Sequence, residues 1–132
     1  MVIIDTTVWI DYFRGKNTPQ TDWLDVEIDR QRLGLVDLIL CEVLQGVRSP
    51  QQFETLRTEL LRFEIFPTGG AELAVSAARN YLKLRSKGVT VRKTIDCWIA
   101  TYCHLNQHQL LHNDRDFEVI GAAERALRIY RL

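Results

Sequence analysis

Four acids, each placed where an apolar run gives way to a helical pattern, are the residues of this chain best suited to chemistry. Asp5 closes Val-Ile-Ile-Asp, Glu42 stands inside Leu-Cys-Glu-Val-Leu-Gln-Gly, Asp96 inside Thr-Ile-Asp-Cys-Trp-Ile-Ala, and Asp114 inside Leu-Leu-His-Asn-Asp-Arg-Asp-Phe. A carboxylate among residues that favour burial loses hydration worth a few kcal/mol unless something compensates it. If the four converge, repulsion adds to that cost: two unit charges about 4 Å apart repel by about 4 kcal/mol at an effective dielectric near 20. A shared hard cation removes both penalties, and oxygen ligands select Mg²⁺ or Mn²⁺ over zinc. Carboxylates around such an ion position a water, lower its pKa and grip a phosphodiester for in-line attack, which favours nucleic acid as substrate.

Taken singly, each acid has a structural reading. Asp5 is equally a helix cap, since Asp is a preferred N-cap residue. Glu42 and Asp96 could face solvent on amphipathic helices. Asp114 and Asp116 could be ordinary turn acids. The case for chemistry rests on their order and on the elements that position them.

Val2 to Ile4 form a short β-branched run of the kind buried on both faces of a parallel sheet. Thr6 or Thr7 can cap a helix from about Val8 to Arg14, ended by Gly15; after a loop over Lys16 to Gln20, Trp23, Leu24, Val26 and Ile28 suggest a second helix reaching about Arg30. A strand over Arg32 to Val36 leads to Asp37, a candidate N-cap for a helix carrying Glu42 and closed by Gly46. Ser49-Pro50 opens another helix, Phe63 to Phe66 reads as a strand, and Leu73 to Leu84 gives a long amphipathic helix stopping at Gly88. Thr94 is placed to cap a helix from Ile95 to about Asn106. Leu110-Leu111 and Leu127 to Tyr130 read as short strands. Strands alternating with helices predict one α/β domain over residues 1–132, with a mainly parallel central sheet and helices on both faces. The helices over 50–62 and 71–87 are expected to form a small flank. In such sheets functional groups gather at the carboxyl ends of the strands, where Asp5 and Asp114 stand.

With 132 residues, 46% of them apolar and 26% charged, the chain suits a single soluble domain. Lys plus Arg and Asp plus Glu number 17 each, so net charge gives no argument for nucleic acid and any basic surface must be local. No stretch has the length and apolarity of a membrane span, and Met1 leads straight into the first strand. A cytoplasmic protein without membrane contact is expected. The three cysteines, Cys41, Cys97 and Cys103, lie in apolar helical patterns and read as small core residues in a reducing compartment.

The order of the acids and their neighbours resembles the PIN-domain nucleases. Asp5-Thr6 after an apolar strand, Glu42 before Gly46, Asp96 before Ile99-Ala100, and the ending Asp114-Arg115-Asp116-Phe117 carry the likeness, which extends over nearly the whole chain. The VapC-type toxins of bacterial and archaeal toxin–antitoxin pairs are the most similar group. The resemblance implies a PIN-like three-layer α/β/α domain and a Mg²⁺- or Mn²⁺-dependent endoribonuclease. It further implies a homodimer, inhibited by a small VapB-type antitoxin whose C-terminal segment fills the active-site groove. It places metal ligands at Asp5, Glu42, Asp96 and Asp114, with Asp116 as a secondary acid and Thr6 in support. At His112 the chain departs from the family, which commonly has Thr or Ser there.

Other candidates weigh less. His104 and His108 have the i, i+4 spacing of a shared zinc on a predicted helix, but no third ligand stands beside them. Trp9, Tyr12 and Phe13 share one helix face that reads partly as core and partly as a partner groove, whereas Trp98 reads as core. Arg14, Arg48, Arg92, Lys93 and Arg115 flank the acidic segments and could contact RNA phosphates. A dehalogenase-type phosphatase would need a second Asp two residues after Asp5, where Thr7 stands. A phospho-accepting receiver would need paired acids near the first strand and a Lys near the last. A PIN-like binding module without catalysis is the remaining alternative.

Overall fold

The computed structural model describes residues 1–123 and 128–132. The chain runs β1 (Val2–Ile4), α1 (Thr6–Phe13), α2 (Pro19–Glu27), β2 (Leu33–Val36), α3 (Asp37–Gln45), α4 (Pro50–Leu60), β3 (Glu64–Phe66), α5 (Ala71–Ser86), α6 (Thr94–Leu105), β4 (Gln109–Leu111) and α7 (Arg115–Ala123). The strands form one parallel sheet in the order β3-β2-β1-β4. Ile3 pairs with Gly34 on one side and Leu110 on the other, so β1 is central. Its three residues and all four of β2 are buried, which is why both read as unbroken apolar runs.

Helices cover the sheet as a three-layer α/β/α domain. Helix α1 packs on α2 and α3, and α3 on α4, while α5 packs on α6 and α6 on α7. The expected flank of α4 and α5 is therefore corrected, because each of these helices has its main packing elsewhere. The core joins Ile3, Ile4, Leu35 and Leu110 of the sheet to Trp9, Ile39, Ile99 and Phe117 of the helices, all fully buried. Close packing explains Gly34: a Cβ there would lie 2.9 Å from Phe66 Cε2 and 3.0 Å from the Glu64 carbonyl oxygen.

Several predicted boundaries shift for identifiable reasons. Asp5, not Thr6 or Thr7, caps α1, its carboxylate accepting from the Thr7 backbone N–H. Helix α2 starts at Pro19, within the loop expected over Lys16 to Gln20, because Thr18 and Thr21 form a capping box at its start. Asp37 lies in the first turn of α3 and Val36 takes the cap position, without a side-chain bond. Likewise Lys93, not Thr94, precedes α6. Ser49 and Pro50 open α4 as expected, with Ser49 Oγ accepting from the Gln52 N–H. Of the expected last strand, Leu127 lies outside the described residues and Ile129 makes a single parallel bridge to Leu110.

Candidate active site

Asp5, Asp96, Asp114 and Asp116 gather at the carboxyl edge of β1 and β4, with Glu42 beside them. Asp5 leaves the end of β1 and is 3% exposed. Its backbone N–H donates to the Leu111 carbonyl at 2.9 Å, extending the β1–β4 ladder to the edge of the site. Its Oδ2 accepts from Thr7 N–H at 3.2 Å and from Thr7 Oγ1 at 2.7 Å. The Thr7 hydroxyl in turn accepts from the Asn113 N–H at 3.1 Å, so one side chain ties the end of β1 to the loop after β4. On α3, Glu42 Oε1 accepts from Thr6 Oγ1 at 2.9 Å.

Asp96 enters from the first turn of α6 and is 5% exposed. One of its oxygens, Oδ2, is buried without any hydrogen-bond partner. Asp114 follows β4 and begins α7: its Oδ1 accepts from the Asp116 N–H at 2.9 Å. Oxygens of Asp96, Asp114 and Asp116 lie within 4.8 Å of one another. Asp116, the secondary acid, thus belongs to the tightest group, whereas Asp5 and Glu42 flank it.

Burial and nearby charge shift two of these acids, Asp5 and Asp96. Loss of hydration is the main force raising the Asp5 carboxyl to about 6, partly offset by its bonds to Thr7 and reinforced by the nearby Glu42. Asp96 is pushed up to about 7, first by burial and then by the charges of Asp5 and Asp114, with Lys93 working in the opposite direction. In a native domain a buried acceptor with no donor calls for a ligand, and hard oxygen donors at this spacing fit a divalent cation. The acids present therefore suit a divalent cation.

His112 is buried, with its ring centroid 5.3 Å from that of Phe117. Its Nδ1 accepts from the Asp114 backbone N–H at 3.1 Å, and burial lowers its pKa, so it is a neutral acceptor here. The departure from the family pattern thus supports the backbone of Asp114. Thr7 is the residue whose role the sequence does not reveal, since its type and place suit a helix cap. A hydroxyl two places after a strand-end Asp was the available signal. Helix α7 was also missed, although Asp114 followed by Phe117 and Ile120 has the cap and apolar spacing of a helix start.

The remaining candidates separate. Arg92 pairs with Asp116 at 2.9 Å, and Arg115 lies exposed at the start of α7. Arg14 and Arg48 line a groove of about 630 Å³ between α1, α3 and α4, together with Ile10, Phe13, Val43 and Leu56. Trp9 is fully buried against Phe63, so only the Tyr12 and Phe13 end of the aromatic face reaches the surface. Trp98 is half-buried and not wholly core. Cys41 is exposed, against the expectation of a core thiol, while Cys97 and Cys103 are buried. The zinc spacing of His104 and His108 dissolves: α6 ends at Leu105, Gln107 turns at φ 58°, and the His108 ring lies 4.9 Å from that of Phe66.

The sequence profile of the PIN domain matches residues 2–123. The chain belongs to the PIN domain family. As a PIN domain it is 29% identical over 127 residues to VapC ribonuclease Mb1587 of Mycobacterium bovis, covering 92% of each chain. It has the same identity and coverage with ribonuclease VapC11 of Mycobacterium tuberculosis. Among solved structures, VapBC2 of Rickettsia felis bound to a promoter DNA fragment superposes with a TM-score of 0.77 at 16% identity, over 98% of both chains. FitAcB of Neisseria gonorrhoeae gives a TM-score of 0.75 at 17% identity, over 99% of this PIN domain and 97% of that chain. These superpositions confirm the expected PIN-like fold. No helix among the described residues is long and apolar enough to cross a membrane.

Proposed function

We propose that this chain is a Mg²⁺- or Mn²⁺-dependent endoribonuclease, the toxin of a pair in which a VapB-type antitoxin neutralises it. One observation carries the reading: beside two further carboxylates lies a buried oxygen of Asp96 that the chain itself does not satisfy. Relatives named as ribonucleases and neighbours solved as toxin–antitoxin complexes support RNA and an antitoxin as the partners.

In this reading Asp5, Glu42, Asp96 and Asp114 are the catalytic acids that hold the cation, and Asp116 is a secondary one. When bound, the cation would neutralise the carboxylates and lower the pKa of a water for attack on phosphorus. Thr6 fixes the Glu42 carboxylate, Thr7 fixes that of Asp5, and His112 steadies the backbone that carries Asp114. Arg115 and Lys93, together with Arg92 on Asp116, supply positive charge beside the acids, where phosphates flanking the cleaved bond would lie. The groove between α1, α3 and α4 offers apolar surface for an antitoxin segment. A homodimer working in the cytoplasm completes the proposal, and light scattering of the purified protein tests the dimer.

The deciding experiment incubates the chain, freed of antitoxin, with a panel of structured and single-stranded RNAs and Mg²⁺ or Mn²⁺, with and without EDTA. Cleavage that EDTA stops and that Asp96→Asn removes supports the proposal. Absence of metal-dependent cleavage across the panel leaves a PIN-fold binding module instead.

A further inference from the structure

The loop between α5 and α6 sets a cation of the chain's own against the acidic cluster. Arg92 Nη2 donates to Asp116 Oδ1 at 2.9 Å, with the Arg92 side chain 71% exposed and that of Asp116 14%. Asp114 and Asp96 lie close enough to stabilise the guanidinium charge further. Asp116 is also one of the three acids whose oxygens stand within 4.8 Å of one another. A single carboxylate therefore has two claimants, the guanidinium and any divalent ion entering the cluster. The two positive charges repel when both sit on it. Because Arg92 is mostly in water and its chain is flexible, leaving Asp116 loses only an exposed ion pair.

We propose that Arg92 is a built-in counter-ion of the cluster, which a divalent cation must displace from Asp116, so that Arg92 limits cation affinity. The inference rests on the metal-binding reading above. Its rival is a general field effect, in which any positive charge on this loop weakens cation binding without acting through Asp116.

Titration calorimetry with Mn²⁺ on the antitoxin-free protein separates the two, using Arg92→Met in the native background and in Asp116→Asn. The expected result is Mn²⁺ binding about three- to fivefold tighter in Arg92→Met, the range set by an exposed ion pair, with less than about twofold change when Asp116 is already Asn. Arg92→Gln and Asp116→Ser repeat the cycle with different side chains, and melting curves verify that each variant is folded. Unchanged or weaker binding in Arg92→Met overturns the proposal. So does equal tightening in both backgrounds, which assigns the effect to the field. If the native protein itself takes up no Mn²⁺, the metal reading falls with this one, whereas native binding indifferent to Arg92 removes this inference alone.

Discussion

Asp37 and Asp96 both stand in the first turn of a helix at the carboxyl edge of the sheet, yet their carboxylates meet opposite fates. Asp37 is consumed by the fold. Its oxygens accept from the Leu38 N–H at 2.9 Å, the Thr68 N–H at 3.0 Å and the Thr68 hydroxyl at 2.6 Å, pinning the loop after β3 to the start of α3. Asp96 keeps a buried oxygen without a donor and faces other acids. An acid where a helix begins at this edge is therefore no mark of chemistry by itself. A carboxylate left unsatisfied by its own chain is the distinguishing feature, because burial without a partner persists only where something else supplies the compensation.

The contrast breaks most sharply under removal of charge at each position. Asp96→Asn is expected to cut metal-dependent RNA cleavage by about 10³-fold, in the range typical for losing a group that stabilises charge in the transition state. It should do so without unfolding the protein, as circular dichroism would verify. Cleavage within about twofold of native would place Asp96 with Asp37 as a structural acid.

Stability against pH gives the next largest effect, with a sign that follows from the raised carboxyls. Asp96 sits at about 7 and Asp5 at about 6 in the fold, against an ordinary value of 3.8. The folded state thus holds protons that the unfolded chain has released. Their contribution is fully present below about pH 4 and is lost as pH rises through 6 to 7. His108 and His112, lowered by burial, act in the opposite sense over part of that range, so a difference between two proteins is the cleaner measure. In EDTA, Asp96→Asn should match the native protein near pH 4 and exceed it by about 2–4 kcal/mol at pH 8, read from urea unfolding. A variant less stable than native at pH 8 would show that Asp96 makes a hydrogen bond the fold depends on.

Asp37→Ala should show the converse. Removing the acceptor for two backbone N–H groups and a hydroxyl is expected to cost about 2–3 kcal/mol at neutral pH, while the folded fraction cleaves RNA at the native rate. Loss of cleavage in a fully folded Asp37→Ala protein would erase the distinction between the two acids.

Much of this arrangement was legible in the sequence. Apolar runs gave β1 and β2 because both are buried on two faces, and Ser49-Pro50 marked the start of α4 because cap and fixed φ act locally. The acids were recognisable by their order among these elements. What the sequence did not disclose depends on contacts across long separations. The tie from Thr7 to Asn113 spans 106 residues, and that from Asp37 to Thr68 spans 31. Local propensity carries no trace of either bond, so Thr7 and Asp37 both have the look of helix caps. Cys41 misled for a related reason: its neighbours are apolar, but its direction on α3 takes it to the surface.

Thr7 and Thr68 allow the finest form of the comparison, since each donates a hydroxyl to one of the strand-end acids, Asp5 in one case and Asp37 in the other. Replacing either by Val keeps the shape; Thr68→Val removes one hydrogen bond and Thr7→Val two, for an expected loss of about 1 kcal/mol in unfolding free energy in the first case and about 2 kcal/mol in the second. The consequences for cleavage should diverge. Thr7→Val retains the Thr7 N–H bond that caps α1 but frees the Asp5 carboxylate to turn, and it leaves the Asn113 N–H without its acceptor. If Asp5 holds the cation as proposed, a small displacement of its carboxylate acts on the chemical step more than on substrate binding, so kcat should fall about tenfold with KM little changed. Thr7→Ser, which restores the hydroxyl, should recover most of the rate. Thr68→Val should lose about 1 kcal/mol of stability and none of the rate. Equal kinetic losses from both substitutions would mean that the two carboxyl ends are coupled through the sheet, and that satisfaction of a carboxylate does not separate structural from functional acids here.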